Sequence, residues 1–524
     1  MKRNGDNSID RETKNRLRFP HLRRLARRRI VIIIMLLIQL AILLLLLFDG
    51  TRKSQIAERV LIVFSVICAY FVMGTDGNSD YKLSWVMLIL SVKLFGGAFY
   101  LLFRLQSREK PLRERVNIKN QKAAGYLADL SAASEEKSNL PGATAQINYL
   151  TRSVGYPLYT DSDVAWFVTG ESLIESIYSD MEKAEKYIFV ETFILSVSDL
   201  WDEIFELMKR KVAAGVDIRL IYDDIGSFLR LPTNDLEELQ KLGVKVAAYH
   251  PFNPVWSMLQ NNRDHRKMVI IDGKTAYTGG VNIGDEYMNR IVRFGYWKDG
   301  GIKVTGRAVD SFTVMFLRMF ETITGSDEDY SLFYGTHEKK EGKNLLIPYD
   351  DSPLDNEQVS ENVYLQIING AQKYLYIETP YLILDDIMLT ALQLSAKSGV
   401  DVRILTPHIP DKKFTFRVTR SYYRPLMEAG VKIYEYTPGF NHAKVIVSDD
   451  LTANVGTANF DYRSFYLMYE CGVWMQGEIA AGIRRDFEKT LKECEEITFD
   501  SPIVKENVRN LLLRPLYRLL APLL

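Results

Sequence analysis

Two short segments of this chain share one pattern. The first places His265, Lys267 and Asp272 in HRKMVIID, and the second places His442, Lys444 and Asp449 in HAKVIVSD. Each is followed at the same interval by glycine and asparagine, Gly279-Gly280-x-Asn282 and Gly456-Thr457-x-Asn459. Side chains two residues apart on an extended strand point to the same side. An imidazole and an ammonium sharing that side make a poor pair unless an anion sits between them. The glycine turn and the amide that follow add a compact backbone and a further donor, so one copy is half of a phosphate pocket. A lone His-x-Lys is usually a structural histidine beside a solvated lysine. Here, however, two of only six histidines fall in matching frames that also share Lys, Asp, Gly and Asn.

A phosphodiester held between the two imidazoles would be attacked at phosphorus by one of them, giving a covalent phosphohistidine. The other would protonate the departing alkoxide and then deprotonate the incoming alcohol. Lys267, Lys444, Asn282 and Asn459 would donate to the non-bridging oxygens and favour the concentrated charge of the five-coordinate transition state. The lysines supply the positive charge, so neither a metal nor another cofactor is called for. A nucleophilic imidazole must be neutral and oriented, which asks for a carboxylate on its far nitrogen. Asp299 in WKDGGIKV and Glu470 in MYECGVWM stand at matching places and, with the two asparagines, are expected to line the substrate site. Asp272 and Asp449 follow their histidines by seven residues, an odd spacing that puts them on the opposite face of a regular strand. That favours an orienting or structural role, unless a strand end or bulge turns them inward. The residues alone do not say which imidazole attacks.

The elements that must position these groups are also stated twice. In the first half a helix ending at Ala184 leads into Lys186-Tyr187-Ile188-Phe189-Val190-Glu191, and a second helix leads to Gly215-Val216-Asp217-Ile218-Arg219. In the second half Ala371 leads into Lys373-Tyr374-Leu375-Tyr376-Ile377-Glu378, and a helix leads to Gly399-Val400-Asp401-Val402-Arg403. Gly243-Val244-Lys245-Val246 and Gly430-Val431-Lys432-Ile433 come next, and each series ends in a His-Lys strand followed by apolar residues. Strand and helix alternating in this way predict an α/β fold with a mixed sheet. The repeat is too long for a solenoid, so the expected architecture is two homologous domains, 151–335 and 336–500. A pseudo-twofold axis between them would bring both His-Lys strands to one cleft.

Composition sets further bounds. A hydrophobic fraction of 47% with 17 prolines excludes a largely disordered chain. The formal net charge of zero speaks against nucleic acid as the main substrate. Three cysteines, Cys68, Cys471 and Cys494, give neither a disulfide framework nor zinc spacing. His250, His337 and His408 are scattered and read as surface or loop residues.

The N-terminus is different in kind. Residues 1–29 carry eleven Lys or Arg and read as a cytoplasmic, anionic-lipid-facing segment. Residues 30–104 read as a transmembrane region with candidate helices 30–48, 58–74 and 83–103, the last containing Lys93. The first is too long, and its end too unlike a cleavage site, for a signal peptide. Basic residues flank both ends of this region, so three full crossings cannot put both flanks in the cytoplasm. Either one segment fails to span or the catalytic region faces outward. A linker is expected over 105–150, with Gln121 to about Asn148 as linker or exposed helix, and an amphipathic segment over 501–524, either interfacial or packed on the body. A basic run after a predicted strand end, Lys412, Lys413, Arg417, Arg420 and Arg424 with Tyr422 and Tyr423, suits a second anionic headgroup or a solvated helix face.

The paired His-x-Lys-x4-Asp-x6-Gly-x-x-Asn motifs resemble the phospholipase D superfamily. Within it, DHRKMVIIDGKTAYTGGVNIGDEY and NHAKVIVSDDLTANVGTANFDYRSF are similar to the bacterial cardiolipin synthase family, as are YKLSW opening a hydrophobic helix and the tail RPLYRLLAPLL. The resemblance runs from about residue 80 to the C-terminus. It implies that His265, Lys267, Asp272, His442, Lys444 and Asp449 are catalytic, and it favours His265 as the nucleophile. It also implies phosphatidyl transfer between two phosphatidylglycerol molecules, giving cardiolipin and glycerol at a bacterial plasma membrane. Two departures stand out, the extra basic N-terminus with its own hydrophobic run and Met468 where the family usually has Asn. A phospholipase D releasing phosphatidic acid would use the same site, and a non-catalytic membrane scaffold is a further alternative that intact motifs in both halves oppose. Protein partners are not indicated.

Overall fold

The computed structural model describes residues 52–75, 78–91, 97, 100, 109–132, 143–228, 230–251, 262–337, 342–355, 357–505 and 508–523. The basic segment 1–29 and the candidate helix 30–48 lie outside the described residues. Residues 1–106 with 252–259 form one compact unit, and 107–251 with 260–524 form another.

In the first unit, helices span Arg52–Met73 and Ser79–Ser91. Ala69, Val72, Trp85 and Ile89 pack together. Among the described residues no helix is long and apolar enough to cross a membrane. The longer helix starts on the polar stretch Arg52, Lys53, Gln55, Glu58 and Arg59, and the candidate helix 83–103 lies partly outside the described residues.

The second unit is built on two mixed sheets with the same strand order. The first repeat contributes β1 (Ser162–Phe167), β2 (Tyr187–Thr192), β3 (Asp217–Asp223), β4 (Lys245–Tyr249), β5 (Arg263–Asp264), β6 (Met268–Ile271), β7 (Thr275–Gly279), β8 (Tyr296–Lys298) and β9 (Gly301–Gly306). Its sheet runs β1-β9-β7-β6-β2-β3-β4. The second repeat contributes β10 (Asn344–Asp351), β11 (Tyr374–Glu378), β12 (Leu382–Ile383), β13 (Asp401–Pro407), β14 (Lys432–Tyr436), β15 (Gly439–Asn441), β16 (Val445–Ser448), β17 (Thr452–Gly456), β18 (Phe460–Asp461), β19 (Met468–Gly477) and β20 (Cys494–Ile497). Its main path is β10-β19-β17-β16-β11-β13-β14-β20. In each repeat the helix-connected strands pair in parallel, β2 with β3 and β11 with β13, while the motif strands β6 and β16 run antiparallel to their neighbours. The chain is thus α/β with two corresponding mixed-sheet segments.

Two strands leave their own repeat. β5, just before His265, pairs with β19 of the second repeat, and β15, just before His442, pairs with β8 of the first. The cores merge as well. Phe189, Ile270, Ile302 and Phe316 share one apolar cluster with Ile347, Val455, Val473 and Trp474. The helix Ala308–Thr324, buried along nearly its whole length, packs against strands of both repeats. On the opposite face of the first sheet, helices Gly170–Lys183 and Asp199–Ala213 cover a second cluster around Leu173, Trp201, Met208 and Ile218.

The stretch expected to be a linker forms a helix, Glu109–Ala132, docked on this body. Lys122 reaches Glu321 at 2.8 Å and Tyr126 stacks on Tyr330. At the other end of the chain, helix Val508–Leu520 lies against helix Lys413–Ser421, with Tyr517 edge-on to Phe414 and Ala521 in the shared core. The described part of the C-terminal segment therefore packs on the protein.

Asp272 and Asp449 sit at the turns that end β6 and β16. Asp272 and Gly273 have φ of 53° and 66°, Asp449 and Asp450 of 59° and 56°, and each turn closes by one backbone bond. The Asp272 carboxylate accepts the backbone N–H groups of Glu185, Lys186 and Tyr187 at 2.8–2.9 Å. Asp449 accepts those of Gln372, Lys373 and Tyr374 at 2.7–3.0 Å. Seven residues of extended chain, roughly 3.3 Å each, separate these clamps from the histidines. Both carboxylates thus sit at the start of β2 and β11, away from the imidazoles, in the structural position that the odd spacing favours. Asp272→Ala leaves three strand-entry amides without their charged acceptor and puts a β-carbon residue less tolerant of positive φ in the turn. It should lower the unfolding free energy in denaturant titrations by about 2–3 kcal/mol, and Asp272→Asn by clearly less, with equal losses arguing against the clamp.

Candidate active site

Both His-Lys pairs lie on the extended chain immediately before the motif strands, where each is held by the other repeat. The N–H of His265 donates to the carbonyl of Tyr469 at 3.0 Å, and that of His442 to the carbonyl of Lys298 at 2.7 Å. Glu470 and Asp299 are the next residues after those carbonyls. Accordingly His265 Nδ1 lies 2.8 and 3.0 Å from the two carboxylate oxygens of Glu470, and His442 Nδ1 lies 2.7 Å from Asp299 Oδ2. The carboxylates are those anticipated from the sequence, but each serves the histidine of the opposite repeat. A carboxylate on Nδ1 fixes that nitrogen as the N–H and leaves Nε2 with its lone pair.

The two dyads are built differently. Thr457 donates its hydroxyl to Glu470 Oε2 at 2.5 Å. At the matching place in the first repeat stands Gly280, where a β-carbon would fall 2.0 Å from Asp299 Oδ1. Asp299 instead receives the backbone N–H of Gly300 at 2.9 Å and the indole N–H of Trp297 at 3.3 Å. Trp297 and Tyr287 flank the His442 ring, and Phe193 stands edge-on to His265 at 4.9 Å between ring centres. These aromatic neighbours carried no motif signal in the sequence.

Lys267 and Lys444 curl back so that each ammonium donates to the carbonyl of its own histidine, at 2.6 and 2.5 Å. Two N–H bonds remain on each. Arg266, between His265 and Lys267, points the other way into a fully buried network with Glu191, Asp264 and Asp350, and Asp350 also holds Arg318 and Tyr156. Ala443 takes this place in the second repeat, and there Glu378 pairs with Lys298 of the first at 3.1 Å.

The asparagines have more structural work than expected. Asn282 accepts the backbone N–H of Ile194 at 3.0 Å and donates to the Tyr287 hydroxyl at 2.8 Å, which ties down the loop carrying Phe193. A buried amide at this turn satisfies neighbouring backbone first. Asn459 donates to Asp461 at 3.2 Å, and its Oδ1 is buried with no hydrogen-bond partner among the described residues. Of the basic run, Arg420 forks onto Glu435 and Arg424 pairs with Glu428, whereas the Lys412 ammonium lies 5.5 Å over the Tyr381 ring. Met468 is buried opposite Arg263. His337 and His408 pair with Asp310 and Glu435, and His250 stacks on Tyr249.

Electrostatics ties the two halves together. Burial lowers the Lys267 pKa to about 8 and that of Lys444 to about 7, the second pushed down further by the charge of Lys267. Burial, then Lys444, takes His442 down to about 4, against the opposing pull of Asp299. His265 is held well below its ordinary value by burial and by Lys267, Lys444, Arg463 and Lys412. Glu470 is pushed up to about 7 by burial, against the pull of Lys267. Each lysine thus acts on groups of the other repeat, so one buried cluster of mutually repelling cations exists at the seam. Such a cluster favours an anion beside it. Among the described residues no group of His, Cys, Asp and Glu could hold a metal ion.

The family model "Cardiolipin synthase, PLD-like domain" matches residues 177–292 and 364–491, one span in each repeat. An uncharacterized protein of Streptococcus mutans is 41% identical over 84% of this chain and 96% of its own length. A cardiolipin synthase of Alkalihalophilus pseudofirmus is 32% identical over 89% of this chain and 93% of its own. The crystal structure of a phosphatidylserine synthase from Haemophilus influenzae superposes with a TM-score of 0.56 at 14% identity, covering 73% of this chain and all of the other, and shows a shared fold. Two sequence spans that match one family model, together with relatives aligned over nearly their whole length, establish that this chain belongs to the cardiolipin-synthase-like, phospholipase D-type enzyme family.

Proposed function

We propose that this chain is a cardiolipin synthase that transfers a phosphatidyl group from one phosphatidylglycerol to the hydroxyl of another, releasing glycerol. The observation that carries the reading is the crossed orientation of the two imidazoles, each with Nδ1 on a carboxylate of the other repeat and Nε2 left for chemistry. A pseudo-twofold relation between the repeats would account for this reciprocity and, on this reading, turn both Nε2 atoms toward one phosphorus.

His265 Nε2 attacks phosphorus and the bond to the glycerol oxygen breaks as His442 delivers a proton to that oxygen. Glycerol leaves, and phosphorus is bonded to nitrogen. His442, now neutral, takes the proton from the hydroxyl of a second phosphatidylglycerol. That oxygen attacks phosphorus, the P–N bond breaks, and cardiolipin and free His265 result. We assign the attack to His265, which burial and then four neighbouring cations hold neutral, and the proton transfer to His442, where Asp299 offsets part of the burial that lowers its pKa to about 4. Lys267 and Lys444 stabilise charge on the non-bridging oxygens. The membrane is the expected place of work, in keeping with the apolar segments before residue 104 and a substrate confined to bilayers.

Three outcomes test this reading. Purified protein given phosphatidylglycerol alone should release glycerol and form cardiolipin in equal amounts, whereas phosphatidic acid as the main product would assign hydrolysis. His265→Ala and His442→Ala should each lower turnover by at least about 10³-fold, and mass spectrometry should find the trapped phosphoryl group on His265; a phosphorylated His442 reverses the roles. The pH profile has a defined sign. Lys267 and Lys444 lose their charge as pH rises through about 8 and 7, so kcat/KM should fall along an alkaline limb there. A bound phosphodiester raises both values, so the limb in kcat should lie at higher pH; coincident limbs would remove the lysines from phosphate binding.

A further inference from the structure

The loop between the first motif and Asp299 is held shut at its neck. The Asn289 side chain donates to the carbonyl of Trp297 at 2.9 Å and accepts its N–H at 2.7 Å, and Arg290 is pinned to Glu203. Its tip nevertheless holds Ile291 at 47% and Val292 at 79% exposure. Gly295, at φ 73°, lies against Pro438 and Ile409 of the second repeat, so this loop abuts the segment 408–414. That segment presents exposed Lys412, Lys413 and Phe414, the last 41% exposed. Phe414 in turn touches Tyr517 of the C-terminal helix, whose neighbour Leu516 is also exposed.

Exposed aliphatic residues taken singly are ordinary. Here they lie on segments that touch one another, the loop 289–296 against Ile409 and Phe414 against Tyr517, and they are interleaved with positive charge. Lys413 and Arg417 have no carboxylate partner among the described residues, and the Arg293 guanidinium lies over Phe294. The same segment reaches the chemistry. The Tyr381 hydroxyl meets Asp411 at 2.5 Å, Lys412 covers Tyr381, and the charge of Lys412 is felt at His265. Aliphatic tips set among lysines and arginines match the two layers of an anionic bilayer surface, acyl boundary and phosphate plane.

We propose that this face, formed by the loop 289–296, the segment 408–414 and the C-terminal helix, lies flat on an anionic phospholipid bilayer, with Ile291, Val292 and Phe414 entering the headgroup region. The proposal deepens the phosphatidyl-transfer reading and rests on it for the substrate. It explains how a headgroup can reach the paired histidines while its acyl chains stay in the membrane.

The test uses the full-length protein reconstituted in phosphatidylglycerol vesicles. Val292→Cys carries an environment-sensitive fluorophore, and labelled protein without this cysteine gives the background. Nitroxide-bearing lipids should quench the probe at 292, and Lys413→Glu with Arg417→Glu should weaken that quenching. A probe on Leu242→Cys, at the opposite end of the first sheet, should stay unquenched. Equal quenching at 292 and 242, or none at 292, overturns the docking face. Ile291→Glu with Val292→Glu should cut the ratio of turnover on vesicles to turnover on detergent-dispersed lipid by about tenfold, and an unchanged ratio also overturns it. Quenching at 292 in a protein that makes no cardiolipin would keep the docking face and reject the proposed reaction, so the two failures are distinguishable.

Discussion

The arrangement depends on one constraint, that each imidazole is oriented by a carboxylate belonging to the other repeat. His265 with Glu470 and His442 with Asp299 are both nearly fully buried. Taking one member away would leave a desolvated polar group facing no partner. The exchanged strands β5 and β15 make this crossing: β5 sets His265 alongside β19, which carries Glu470 near its start, and β15 sets His442 alongside β8, which Asp299 follows. The merged apolar core and the buried Arg266–Asp350 contact then hold the seam at the tolerance a dyad needs.

Inside this frame the charges are arranged against their own comfort. Two lysines and two histidines in one buried cluster repel one another, and burial biases all four toward neutrality. Such a site is costly to build and is poised for an incoming anion, which restores to the lysines the charge they then use on phosphorus. Attachment of the ammonium groups to the histidine carbonyls limits their motion, so little reorganisation is left for the moment of reaction.

Much of this was legible in the sequence, and the exceptions are instructive. The repeat of His-x-Lys and the doubled strand-helix series gave the α/β fold and the principal groups, because periodicity and spacing are local properties. Asp299 and Glu470 could be picked out as carboxylates, yet which histidine each would serve is a matter of topology, and the strand exchange that decides it leaves no local mark. Asp272 and Asp449 show the reverse. Strand alternation alone points them away from the imidazoles, and the structure shows them holding strand entries. The asparagines are expected as donors to substrate, whereas Asn282 spends its amide on the Ile194 N–H and the Tyr287 hydroxyl and Asn459 donates to Asp461. Phe193, Tyr287 and Trp297 belong to loops whose side chains acquire neighbours only after folding. The stretch 105–150 reads in sequence as a linker or an exposed helix because polar residues dominate it, while the few apolar residues that dock the helix Glu109–Ala132 are spread along its length.

Gly280 and Thr457 occupy equivalent places, and each suits only the acid it faces. A short Asp fits where there is no β-carbon, and a longer Glu fits where a hydroxyl can steady it. Two identical chains meeting across a twofold axis would have to use the same pair on both sides. Joining the copies in one polypeptide lifts that restriction, and here the two sides have diverged in matched steps. Transplanting either dyad alone into the other half would therefore bring a clash or a loose carboxylate, and the unit that can be exchanged between such enzymes is the seam as a whole, drawn from both repeats at once.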